Sequence, residues 1–527
     1  MVAQRSIAEP PDKTRRNLLI AAYVTILAGA FVLLFYGLDR HLLWGDEAET
    51  ATLAKNVLRF GVPKTFDGVN RITLFGAGVD ASVHDTWTWS PWLQEYLAAA
   101  SFLVFGSTTW AARAPSAFFG WLALPLLAFT AYRIYRDHRI SVAAVLVLGT
   151  SEVFLLHARQ CRYYGPAVFL EILFILGIYQ LQSGSRAGLW NTAIAMILLF
   201  YANYILAFAN VPALIPLAWM LYRKDRRVAL TVVYVGALFV AAATPWLLYA
   251  SVARQSEFVG YNLFLKKETY YLKEFHFHFI PLIFLLLPLV NWLMSRRTAA
   301  SQSKLGAPAG VTGFEWWLLW LMALYLGIIL LPPGAFLRYL LPMLPVACLL
   351  AAAWVFRYVR RTEIAVALIA VQCLTNALAL GSGFPFRGKH TLRWPLAEFV
   401  QGNREPFQDR FTDVLEYLLR EAKPGESVFS LDPEFPLIFY TGLKVIDGRL
   451  IRDKTPLRIP PDWVLTQSAS GVMNSVAAPP GNVVRLLYEE IVIPVHESVN
   501  FGVVPEPDRY QYHTGKERTF VLYRKKS

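Results

Sequence analysis

The chain alternates long apolar runs with short, mostly basic polar stretches. Its first run, Asn17 to Leu38, is almost wholly apolar and long enough to cross a bilayer. Further runs of roughly 18 to 22 residues recur as far as Gly381, and runs of that length read as membrane helices. The pattern predicts spans at 112–132, 140–157, 166–182, 188–204, 205–222, 228–249, 278–294, 314–332, 339–356 and 363–381. With the first span this makes about eleven crossings.

Basic clusters fix the direction of threading. They are Lys13 to Arg16, Arg133 to Arg139, Arg186, Arg223 to Arg227, Arg296-Arg297 and Arg357 to Arg361. All belong on the inner side by the positive-inside rule. Pro91 to Gly106 is apolar but short, with Gln94 and Glu95 near its start. Counted as a span, it would invert every later loop. Counted as a helix lying on the membrane surface, it keeps every basic cluster inside, and that reading is adopted. Residues 1–16 are then cytoplasmic, the first external loop is long (39–112), and Asp46 lies outside. Ser251 to Phe277 forms a second external loop, and Ser295 to Gly310 an inner one.

Composition changes near Ser382. A helix at Phe411 to Arg420, stopped by Lys423-Pro424-Gly425, is followed by a strand candidate at Ser427 to Leu431. Phe435 to Tyr440 is helical or turn-like, and Leu443 to Ile446, Trp463 to Leu465, Glu490 to Pro494 and Phe520 to Tyr523 are further short strands. The expected fold class is a polytopic α-helical membrane protein, with a transmembrane module over 17–381 and a soluble extracytoplasmic α/β domain over 382–527.

Composition agrees. The chain is 56% hydrophobic and 17% charged, where a soluble protein carries about 25% charged residues. The net charge of +13 does not indicate nucleic acid, because many of the Lys and Arg residues sit in short loops where they set topology. Cys161, Cys348 and Cys373 lie in or beside apolar spans without metal-ligand spacing, so neither a disulfide framework nor a zinc site is expected.

Candidate chemistry gathers where spans meet the outer surface. Trp44-Gly45-Asp46-Glu47-Ala48-Glu49 follows the first span directly. Asp46 there is either a helix cap or a general base that takes a proton from an attacking hydroxyl or amine, with Glu47 in support. His157-Ala158-Arg159-Gln160-Cys161-Arg162-Tyr163-Tyr164-Gly165-Pro166 forms a short external turn. Its two arginines either anchor head groups, as Tyr163 would, or recognise a phosphate. Arg338-Tyr339, at the start of a later span, offers the same pair of readings. Glu152 and Glu171 flank the turn from within the membrane, and pairing with Arg159 and Arg162 is the expected role. His84-Asp85 could bind a metal, but one such pair is weak evidence. The expectation is no metal site, with a divalent ion left open as a cofactor.

Taken in order, these segments resemble the GT-C superfamily of membrane glycosyltransferases, in particular the protein mannosyltransferases and the aminoarabinose transferases that modify lipid A. The likeness rests on Asp46-Glu47-Ala48, Ser90-Pro91-Trp92-Leu93, Ala112-Arg113-Ala114-Pro115-Ser116-Ala117, the Arg159 to Pro166 turn and Arg338-Tyr339-Leu340-Leu341-Pro342. It implies that Asp46 is the catalytic aspartate and that Arg159 lies near the donor phosphate. It also implies a polyprenyl-phosphate sugar donor, a lipid, glycan or protein acceptor, transfer on the outer side, and a bacterial inner membrane location. Two positions depart from the pattern. Ser90-Pro91-Trp92-Leu93 stands where lipid A-modifying relatives have Lys-Pro-Pro-Leu, so their phosphate-binding lysine is missing. Tyr164 stands where many relatives have an acid, whose role would have to pass to Glu152 or Glu171. The alternative readings are a transporter or lipid flippase, which would show inverted repeats and broken helices at the midplane, and a membrane scaffold with a partner-binding tail.

Overall fold

A computed structural model describes residues 13–73, 80–82, 84–223, 225–250, 264–298, 310–332, 334–381, 391–404, 410–430, 434–447, 460–465, 487–496 and 517–526. The first part of the chain supplies helices α1 (Lys13–Phe35), α2 (Gly45–Phe60), α3 (Leu93–Phe105), α4 (Thr109–Tyr135), α5 (His138–Gly149), α6 (Glu152–Ala158), α7 (Tyr164–Gln182), α8 (Arg186–Ala202), α9 (Tyr204–Tyr222) and α10 (Arg226–Tyr249). Helices Leu282–Thr298, Gly313–Ile329, Leu344–Tyr358 and Thr362–Leu374 follow. Among the described residues, five helices are long and apolar enough to cross a membrane, or seven if two bent pairs each count as one span. The other expected spans are shorter apolar helices. Helix α3, expected to lie on the membrane surface, has 13 residues, about 20 Å long against a hydrocarbon core of about 30 Å.

Three expected spans are not straight rods. The 140–157 span is α5 and α6, bent by 62°, and Ser151 caps the second piece by accepting the Phe154 N–H at 3.4 Å. The 278–294 span is the far arm of a pair bent by 96°. The bend falls at Ile280, extended at φ −129°, ψ 122°, because the following Pro281 disfavours helical backbone before it. The 363–381 span breaks after Leu374 and resumes as Ala377–Gly381. The inner loop from Ser295 falls mostly outside the described residues, as does 251–263 of the expected second external loop.

Small residues let the helices approach closely. A Cβ on Gly165 would lie 2.0 Å from the Ser116 carbonyl oxygen, and one on Gly120 would lie 2.8 Å from the Ala158 Cβ. The α4 backbone therefore nearly touches the start of α7 and the end of α6, a packing mode common where helices meet in lipid. That contact holds the 159–163 turn against the start of α4.

The tail forms a five-stranded sheet from β1 (Ser427–Ser430), β2 (Lys444–Asp447), β3 (Trp463–Leu465), β4 (Tyr488–His496) and β5 (Glu517–Lys525), in the order β2-β1-β3-β5-β4. Strands β2, β1 and β3 run parallel, and β5 is antiparallel to both β3 and β4. Pro494 lies on the edge strand β4, where a missing N–H is tolerated. Helix Arg410–Glu421 lays Val414, Leu415 and Leu418 over Val428, Trp463 and Phe520. Helix Glu434–Thr441 does different work. Its Phe435, Ile438 and Phe439 join one buried cluster with Ala48, Ala51 and Ala54 of α2. The Leu43 N–H donates to the Tyr440 hydroxyl at 2.9 Å, and Lys55 donates to the Phe439 carbonyl at 2.7 Å. Asn70 bridges to the Leu443 carbonyl and the Val445 N–H. The tail thus braces the helix that begins at Asp46.

Candidate active site

Helix α2 starts behind Trp44, whose backbone is extended and whose side chain makes no cap. Asp46 and Glu47 both lie in its first turn, and because neighbouring helix residues point about 100° apart, they face different surroundings. Glu47 is fully buried. It takes two hydrogen bonds from Arg113, at 2.8 Å and 2.7 Å, and one from the Cys161 N–H at 2.7 Å. Arg113 also donates to the carbonyls of Leu38, His41 and Leu42. One ion pair therefore ties the loop after α1, the start of α2, the start of α4 and the 159–163 turn to each other.

Asp46 points the other way and keeps 32% of its side-chain surface exposed. Its Oδ2 is 3.5 Å from Arg338 Nη2 and 4.0 Å from Arg162 Nη2. Charge-assisted bonds between such groups close at about 2.7–2.9 Å, so these contacts are loose. Arg162 is anchored from its other nitrogen, Nη1, which donates to Thr50 Oγ1 at 2.9 Å, the Asp46 carbonyl at 3.1 Å and Glu49 Oε1 at 3.3 Å. Arg338 lies over the ring of Phe336 at 4.1 Å and that of Trp44 at 5.5 Å. Arg162 Nε, Arg338 Nη1 and Trp44 Nε1 are buried and have no hydrogen-bond partner among the described residues. Buried N–H groups are nearly always paired. Two arginines beside Asp46, with Trp44 next to one of them, thus carry donors available to an anion with several oxygens.

A second acid belongs to this cluster. Glu49 is buried beside Arg162, and burial pushes its carboxyl up to about 8, with Arg162 opposing the shift and Asp46 adding to it. Glu95, in the first turn of α3, is raised to about 8, mainly by burial, and feels both Arg162 and Glu49.

The expected residues divide. Asp46, Arg162 and Arg338 meet, and Tyr163 lies under Arg162 at 5.9 Å. Arg159 goes elsewhere: it donates to the Leu33 carbonyl at 2.8 Å and the Tyr36 carbonyl at 2.7 Å, closing the end of α1. Glu152 and Glu171 do not pair with the turn arginines. Glu152 meets Arg393 at 3.1 Å, from the chain leading into the tail, and Glu171 accepts from Asn210 at 3.1 Å within the bundle. The acid beside Asp46 is Glu49, which the i,i+3 spacing of a helix puts on the same side of α2. Asp85 pairs with Arg71, and the His84 carbonyl accepts from Lys64, so this loop folds on itself. Among the described residues no three His, Cys, Asp or Glu side chains converge to hold a metal ion. Arg113 entered the sequence reading only as part of a resemblance. Its signal was a lone charge at the start of an apolar helix, which calls for a buried partner.

No family model matches the sequence, and no curated protein matches it. Solved structures do. ArnT from Cupriavidus metallidurans bound to undecaprenyl phosphate superposes with a TM-score of 0.53 at 15% identity, over 97% of this chain and 98% of that one. The same protein in its apo state gives a TM-score of 0.55 at 13% identity, with the same coverage. The archaeal oligosaccharyltransferase AglB from Archaeoglobus fulgidus, in complex with an inhibitory peptide and a dolichol-phosphate, gives 0.50 at 13% identity over 83% of this chain and 65% of that one. From α1 to the terminal sheet, the chain has the fold of the GT-C glycosyltransferases.

Proposed function

We propose that this protein is an integral-membrane glycosyltransferase that moves a sugar from a polyprenyl-phosphate donor to a hydroxyl or amine of an envelope lipid, glycan or protein. Asp46 is the general base. It takes the proton of the acceptor as the acceptor's oxygen or nitrogen attacks the anomeric carbon. The bond from that carbon to the phosphate oxygen breaks, its electron pair stays on the oxygen, and polyprenyl phosphate leaves. Arg162 and Arg338 hold the phosphate and stabilise the charge that grows on it, with Trp44 Nε1 as a further donor. Arg159, which the resemblance placed near the phosphate, is assigned to the scaffold. The site faces the extracytoplasmic side of a bacterial inner membrane, by the positive-inside reading of the loops.

The observation that supports this best is the loose contact of a partly exposed Asp46 with two largely buried arginines that retain unpartnered donors. A transporter would gather its polar groups near the midplane. Here they collect where α2, the 159–163 turn and Leu337–Met343 meet at one end of the bundle. Mass spectrometry of envelope glycolipids and glycoproteins from a deletion strain tests the reading. One glycosylated component should disappear, return with the wild-type gene and stay absent with Asp46→Asn. An unchanged envelope, or full rescue by Asp46→Asn, contradicts it.

A further inference from the structure

The orphaned groups around Asp46 separate by chemistry. On the Arg338 side they are donors. On the α3 side they are acceptors: Glu95 Oε2 and Gln94 Oε1 are buried and have no hydrogen-bond partner among the described residues. Gln94 Nε2 donates to Glu95 Oε1 at 3.2 Å, which fixes the two side chains against each other. Both belong to the first turn of α3, which packs along α2, and Glu95 interacts electrostatically with Glu49 and Arg162. Glu49 lies three residues after Asp46, on the same side of α2. A carboxyl with a free oxygen costs stability when it is buried, so an acid kept there matches a ligand bearing hydrogen-bond donors.

We propose that Gln94 and Glu95, beside Glu49, form the subsite that receives the hydroxyl groups of an uncharged sugar carried by the donor lipid. This rests on the glycosyltransferase reading above. The choice of an uncharged sugar follows from geometry: Glu95 is fully buried, and the side chain that hydrogen-bonds it is the neutral amide of Gln94 rather than a cation. Burial holds Glu95 at about 8, so near neutral pH it is largely protonated and both donates and accepts, as a hydroxyl does. An ammonium would need it ionised. A purely structural role, with Glu95 complementing the helix dipole, would make no distinction between sugars.

The test uses the purified full-length protein in nanodiscs and three probes: undecaprenyl phosphate, the same lipid phosphate carrying a neutral hexose, and the same carrying an aminopentose. The wild type should bind the hexosyl lipid about tenfold more tightly than the bare lipid. Glu95→Ala and Gln94→Leu should each remove most of that increment and leave bare-lipid binding within about twofold, while Glu95→Gln, neutral like the protonated acid and able to donate and accept, should keep it. An increment that survives both Glu95→Ala and Gln94→Leu overturns the subsite. So does a loss of bare-lipid binding in both of these variants, since that marks a scaffold role. Preferential binding of the aminopentosyl lipid, lost in Glu95→Gln, overturns the uncharged-sugar assignment. Failure of the wild type to bind any of the three sinks the glycosyltransferase reading itself, which separates the two failures.

Discussion

Asp46 and Glu47 are neighbours in one helical turn, yet they do opposite work. Glu47 is buried, accepts three hydrogen bonds of 2.7 to 2.8 Å and has Arg113 locked against it. Asp46 is partly exposed and meets its arginines at 3.5 and 4.0 Å. The difference teaches how an acid pair divides between structure and chemistry. A satisfied ion pair fixes positions and has nothing left to offer a ligand. A loose pair beside orphaned donors has charge and geometry in reserve. The first holds the second in place, because Arg113 and Glu47 pin the helix start that carries Asp46 and the turn that carries Arg162.

That contrast can be broken from either side. The largest effect is expected from Arg113→Met, which leaves Glu47 charged and buried. It should lower folding stability by about 3–5 kcal/mol, seen as reduced yield and an earlier thermal transition in detergent. Restored stability in the double variant with Glu47→Leu would show that the pair, not either charge, matters. Arg338→Gln is expected to leave the thermal transition nearly unchanged and to weaken binding of undecaprenyl phosphate by about 1.5–3 kcal/mol. Equal loss of stability would mean that Arg338 is scaffold. Gly165→Ala pushes a Cβ into the Ser116 carbonyl and should cost about 1–3 kcal/mol of stability, with transfer falling as the turn shifts. A further effect concerns pH. Glu49 and Glu95 sit at about 8 in the folded protein, against an ordinary value of 4.5. The folded state holds protons that the unfolded chain has released. Their contribution is therefore full below the ordinary value, falls as pH rises toward about 8, and changes no further beyond it. Thermal scans between about pH 5 and about pH 9 should show this decline, and Glu95→Gln should flatten it.

Much of the fold was legible because its cause is local. Runs of apolar residues marked where the bundle helices lie, although among the described residues only five, or seven with two bent pairs, are long and apolar enough to cross a membrane, and the short strands of the tail each fell within a residue or a few of the expected positions. What the pattern could not give is where a helix bends. The α5–α6 break depends on the Ser151 cap, and the break before Leu282 on Pro281. The site was partly legible for the same reason. Asp46, Arg162 and Arg338 are charges at the ends of apolar spans, which is visible in a string of letters. Which of two arginines in one turn faces the acid is set by contacts distant in sequence: Arg159 is held by the Leu33 and Tyr36 carbonyls, and Arg162 by Thr50, Glu49 and the Asp46 carbonyl. Glu152 was misread because its partner, Arg393, lies far along the chain. Glu95 looked like an argument about topology until α3 lay against α2.

One measurement addresses the reading at its root: undecaprenyl-phosphate binding and sugar transfer, compared in the same preparation of Asp46→Asn. Binding should stay close to wild type, because Arg162 and Arg338 are intact, while transfer should fall by about 10²- to 10⁴-fold, as loss of a general base does. Transfer at the wild-type rate, or a loss of transfer matched by an equal loss of lipid-phosphate binding, would show that Asp46 is not the base.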